Sequence, residues 1–94
     1  MDKISVEAFK KDQKKYLLLD VREPVERQAA SIEPAIAIPL GELERRYLEL
    51  PLDKPIVVMC RSGGRSARAT EFLRSKGVEA LNLTGGILAF QALE

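Results

Sequence analysis

Short apolar runs separated by segments of helical spacing constrain how this chain can fold. Tyr16-Leu17-Leu18-Leu19 and Ile56-Val57-Val58-Met59 are continuous runs, as a strand buried on both faces requires. Ala35-Ile36-Ala37-Ile38 and Ala80–Leu83 are shorter candidates of the same kind, and Ile4 sits in a short edge strand. Between them the pattern predicts helices over Val6–Lys11 behind a Ser5 cap, and from Pro24 through Gln28. Further helices are predicted over Glu42–Leu50, Ser66–Lys76 with Gly77 as its stop, and Ile87–Leu93. Strands that alternate with helices imply an α/β fold in three layers, a parallel sheet covered on both faces. In such sheets ligands bind at the carboxyl ends of the strands, where Asp20 and Cys60 both lie.

Ninety-four residues hold one core, so residues 1–94 read as one domain. With 15 basic and 14 acidic side chains there is no global field to draw in nucleic acid or an anionic membrane. Any attraction for an anionic ligand must be local. One cysteine excludes an internal disulfide, and the lack of histidine removes both a Cys/His metal site and the usual imidazole base. No cofactor is implied. The first residues lack an apolar signal core, so a cytoplasmic location is expected.

That single cysteine opens the segment Cys60-Arg61-Ser62-Gly63-Gly64-Arg65-Ser66. A lone cysteine after an apolar run is usually a small buried hydrophobe. Burial, however, gives no reason for two glycines flanked by two arginines directly after a strand. Glycines let a backbone curl so that successive N–H groups converge on one point. A helix starting near Ser66 aims its N-terminus at the same point, and the arginines add fixed charge. Each feature favours a thiolate over a thiol, which makes Cys60 a nucleophile candidate.

The chain resembles the single-domain rhodanese-like sulfurtransferases. Four stretches carry the likeness in the family's order and spacing: Leu19-Asp20-Val21-Arg22-Glu23, Ala35-Ile36-Ala37-Ile38-Pro39-Leu40, Ile56 through Ser66, and Asn82-Leu83-Thr84-Gly85-Gly86-Ile87. The resemblance implies a five-stranded parallel sheet flanked by helices. It implies that Cys60 takes a sulfane sulfur from thiosulfate or a persulfide donor, holds it as a persulfide, and passes it to a thiol or cyanide. By the same likeness Arg61, Ser62, Gly63, Gly64, Arg65 and Ser66 would cradle the persulfide and the donor anion. Members commonly read His-Ile-Pro-Gly-Ala where this chain has Ser31-Ile32-Glu33-Pro34-Ala35, which must alter that turn. Phe90 stands where a tryptophan is common, a repacking of the last helix.

Sulfane transfer needs no general base if the thiol is already ionised, so the absent histidine is no obstacle. The expected partners are a small anionic donor and a thiol, cyanide or protein acceptor, with the chain a monomer. A Cys-dependent phosphatase or arsenate reductase is an alternative on a similar fold. Those enzymes place five residues between Cys and Arg; Cys60 and Arg65 have four between them, a tighter ring suited to a sulfur atom. A sulfur carrier or docking module without turnover is the other alternative. Asp20 and Arg22 read as a loop ion pair in preference to a pocket floor, and Gly85-Gly86 as a tight turn. The lysines at 10, 11, 14 and 15 read as a solvated helix face, and Arg65 is left between the pocket and Glu71.

Overall fold

A computed structural model describes residues 2–93. Five strands form one sheet: β1 (Lys3–Ile4), β2 (Leu17–Asp20), β3 (Ile36–Ala37), β4 (Ile56–Met59) and β5 (Ala80–Leu83). Their order is β1-β5-β4-β2-β3, and every neighbouring pair is parallel. β4 lies at the centre, with Leu17 to Asp20 registered against Ile56 to Met59. All four β4 residues are buried, which is why this run carries no polar alternation.

The helices are α1 (Val6–Lys11), α2 (Pro24–Ala29), α3 (Leu40–Arg46), α4 (Gly64–Ser75) and α5 (Gly86–Gln91). Ser5 caps α1 by accepting a hydrogen bond from the Ala8 N–H at 3.1 Å. Successive β4 side chains point to opposite faces and build two cores. Ile56 and Val58 join Leu43, Ala69 and Leu73 beneath α3 and α4. Val57 and Met59 join Val6, Phe9 and Ile87 beneath α1 and α5. Phe90 fills the second layer with its ring centroid 6.1 Å from that of Phe9. No helix among the described residues is long and apolar enough to cross a membrane.

Several boundaries differ from the sequence expectation: β2 is shifted by one residue to Leu17–Asp20, β3 shortens to Ile36–Ala37, and α2 runs to Ala29. The segment read as one helix over Glu42–Leu50 is α3 followed by a 3-10 turn at Tyr47–Glu49. α4 starts at Gly64, two residues before Ser66, and ends at Ser75. The last helix runs from Gly86 to Gln91 in place of Ile87–Leu93.

Candidate active site

Cys60 continues the β4 alternation, so its side chain follows Ile56 and Val58 toward α4. Only 1% of the residue is exposed. The chain then turns sharply through Arg61 and Ser62 into Gly63, which has φ +113° and caps α4. Only glycine adopts that conformation readily, and it aims the Gly63 N–H at the Cys60 sulfur, 3.1 Å away. The Ser66 hydroxyl lies 3.3 Å from the same sulfur. Burial pushes the thiol's pKa up, but hydrogen bonds from the Ser66 hydroxyl and from the N–H groups of Ser66, Gly63 and Ser62 outweigh it. The net shift is downward. A thiolate here is held by dipoles at the start of α4.

The rear of this loop rests on α5. The Ile87 N–H donates to the Cys60 carbonyl at 3.0 Å, and the Leu88 N–H donates to the Arg61 carbonyl at 3.2 Å. Gly86, with φ +60°, passes so close that an added Cβ would lie 2.5 Å from both carbonyl oxygens. The Cys60 and Arg61 carbonyls therefore face α5, while N–H groups of Ser62, Gly63 and Ser66 face the sulfur. Gly85-Gly86 is a tight turn, as expected, and it is also the support on which the cysteine loop is built. A glycine doublet was the only sequence signal for that second role.

Two of the arginines near the loop are already engaged. Arg22 is buried and donates from Nε and Nη2 to Asp20, at 3.0 Å and 2.8 Å, as an ion pair. Its Nη2 also donates to the Ala30 carbonyl at 2.8 Å, fixing the end of α2. Arg65 forms a bidentate pair with Glu26 of α2, with Nη1 and Nη2 donating at 2.7 Å and 2.8 Å. Its hydrogen-bond partner is thus neither the thiol nor Glu71, because Glu26 on α2 lies within reach. Glu26 lies 39 positions away in sequence, and nothing local announces it. Arg61 is exposed and makes no ion pair among the described residues. It borders a cleft of about 200 Å³ shared with Arg22, Glu26, Leu88 and Gln91.

The Arg65 bond to Glu26 should be visible in acid. Hydrogen bonds from Arg65 hold the Glu26 carboxyl at about 2, below its ordinary 4.5. A carboxylate depressed in the folded state stabilises fully above its unfolded value and loses that contribution as pH falls through its folded value. Wild-type melting temperature should therefore decline between about pH 4.5 and 2. Glu26→Gln should flatten part of that decline, and superimposable acid limbs would show that the pair contributes nothing.

A rhodanese-like domain model matches residues 5–93, nearly the whole chain. The chain belongs to the rhodanese-like family. A protein of Allochromatium vinosum named a sulfurtransferase is 39% identical over 80 residues, covering 84% of this chain and 75% of that protein. The rhodanese-related protein of Thermoplasma volcanium superposes with a TM-score of 0.94 at 37% identity, covering 97% of this chain and 91% of that structure. A NAD-dependent persulfide reductase from A. fulgidus is 40% identical with a TM-score of 0.76; the match covers 96% of this chain but 16% of that protein. The rhodanese-like assignment accounts for the parallel sheet, the order of the four sequence stretches and the placing of Cys60 at the end of the central strand.

Proposed function

We propose that this rhodanese-like chain is a sulfurtransferase that uses Cys60 as its nucleophile and thiosulfate or a persulfide as its donor. The observation that carries this reading is the cluster of donors on the Cys60 sulfur: Gly63 N–H, Ser66 hydroxyl, and the Ser62 and Ser66 N–H groups. In the first half-reaction the Cys60 thiolate attacks the outer sulfur of thiosulfate. A new S–S bond forms, the old one breaks, and sulfite leaves with the electron pair. In the second, cyanide or an acceptor thiolate attacks the outer persulfide sulfur and Cys60 leaves again as a thiolate. The donors that hold the thiolate also hold the persulfide, and they lower the barrier to expelling either anion.

Arg61, Ser62, Gly63, Gly64, Arg65 and Ser66 form the cradle in this reading, mainly through backbone N–H groups. Arg65 contributes its main chain and leaves its guanidinium with Glu26. The recessed sulfur suits a slim ligand atom more than a bulky one. The presence of a persulfide reductase among similar structures supports a persulfide on such a domain. Incubation with thiosulfate should add one sulfur to the intact mass, and cyanide should remove it as thiocyanate. An unchanged mass after thiosulfate, with a persulfide donor equally inert, would defeat the reading.

Phosphoryl transfer by the same cysteine needs a loop wide enough for a tetrahedral phosphoryl group, and the four residues between Cys60 and Arg65 make a tighter ring. Aryl phosphate hydrolysis should therefore stay at the buffer background. A phosphatase rate matching the rate of thiocyanate formation in the same preparation would reverse this assignment.

A further inference from the structure

Ser66 has a single hydroxyl hydrogen and two acceptors within reach. One is the Cys60 sulfur at 3.3 Å; the other is Asn82 Oδ1 on β5, which is closer still. The orientation of the Asn82 amide is set by its other end, since Nδ2 donates to the Gly63 carbonyl at 3.3 Å. Flipping it would set two oxygens against each other at Gly63. Asn82 thus holds the cysteine loop at two points, one on each side of Gly64. Ser66 is fully buried, so water does not replace a partner it loses.

We propose that Asn82 is a positioning residue that governs Ser66: it accepts the hydroxyl hydrogen while Cys60 is a thiol and yields it to the sulfur when the sulfur becomes an anion. The neutral state satisfies every group in one chain. The thiol donates to Ser66 Oγ, the hydroxyl donates to Asn82 Oδ1, and Nδ2 donates to Gly63. On ionisation the S–H bond breaks, its proton goes to solvent, and the Ser66 hydroxyl rotates onto the sulfur. No other covalent bond changes. Asn82 therefore competes with the thiolate for one hydrogen and keeps it from becoming too stable, which matters because nucleophilicity falls as a thiol's pKa falls. This inference rests on Cys60 being the reacting nucleophile of the preceding reading.

The charged groups around the loop are the pairs Arg65–Glu26 and Arg22–Asp20, Glu23 ahead of α2, the exposed Arg61, and Asp2 and Lys3, which border a small cavity beside Asn82. Asn82→Leu and Ser66→Ala leave all of them in place. The experiment is the pH dependence of Cys60 alkylation by iodoacetamide in wild type, Asn82→Leu, Ser66→Ala and the double variant. Asn82→Leu should lower the apparent thiol pKa by about half to one unit, since the hydroxyl then has only the sulfur to serve. Ser66→Ala should raise it, and adding Asn82→Leu to Ser66→Ala should produce no further shift. A purely structural Asn82 would shift the titration equally in both backgrounds, and that result overturns the proposal, as does an unchanged or raised pKa in Asn82→Leu alone. If Asn82→Leu does not fold, Asn82→Val, which also offers no acceptor and suits a strand, carries the test: it should lower the thiol pKa in the wild-type background and leave it unmoved in Ser66→Ala, and an unchanged or raised value in the wild-type background refutes the idea. Alkylation uses no sulfur donor, so failure of wild-type sulfur uptake would defeat the functional reading and leave this titration interpretable.

Discussion

Cys60→Ser should lose thiosulfate-dependent sulfur uptake and thiocyanate formation entirely, at least ~10³-fold below wild type, while the protein stays folded. Cys60 is the only thiol in the chain, so no neighbouring sulfur can take its place. A serine hydroxyl in the same position would still accept from the Gly63 N–H and face Ser66, so no buried polar group is orphaned. Its oxygen stays protonated near neutral pH, however, and forms no persulfide. The expected result is a normal unfolding midpoint together with no gain of sulfur in the intact mass. Thiocyanate formation persisting in the variant would place the chemistry elsewhere in the molecule.

Gly86→Ala should be the most damaging single methyl group outside the cysteine loop. Its Cβ would sit 2.5 Å from the carbonyl oxygens of Cys60 and Arg61, and the backbone there has φ +60°. Neither obstacle is the flexible end of a side chain, so either α5 or the loop must move. Left-handed strain and steric overlap together cost about 3 kcal/mol or more. A displacement of the loop by ~1 Å would also cost ~10² in rate, since the N–H groups would no longer converge on the sulfur. Gly41→Ala is the control, because α3 leaves open space around that glycine. It should be neutral or stabilising by about 0.5–1 kcal/mol. Urea unfolding and sulfur uptake measured on both variants decide the matter, and equal behaviour would remove Gly86 from its supporting role.

The sheet was legible because burial on both faces leaves a plain mark: Ile56–Met59 is apolar at every position, and it is the central strand. Ends of helices were less so. Gly63-Gly64 reads as turn chemistry, yet Gly64 already belongs to α4, since a glycine in a helix looks the same in sequence as a glycine before one. The spacing of Leu43, Tyr47 and Leu50 fits one helix, but Arg46 departs from helical geometry with ψ 0° and the next turn tightens to 3-10. Asp20 and Arg22, two residues apart, could be read as an ion pair from their proximity alone, and they are one. What sequence could not supply was long-range pairing. Glu26 with Arg65 and Asn82 with Ser66 depend on how α2 and β5 pack against the start of α4, and no local pattern encodes that.

The Arg65–Glu26 bond has a consequence for how ligands arrive. With that pair and Arg22–Asp20 both self-neutralised, Arg61 is the one of the three arginines Arg22, Arg61 and Arg65 that has no ion-pair partner among the described residues. Amide dipoles lose their reach within a few ångströms, whereas an unpaired guanidinium is felt out to the Debye length, about 8 Å at physiological ionic strength. The pocket therefore steers little at a distance. Passing chloride or phosphate would find a weak pull, and a ligand would feel the site only after inserting an atom between the N–H groups. Shape does the sorting that long-range attraction would otherwise blur, and the encounter should be largely indifferent to the salt around it.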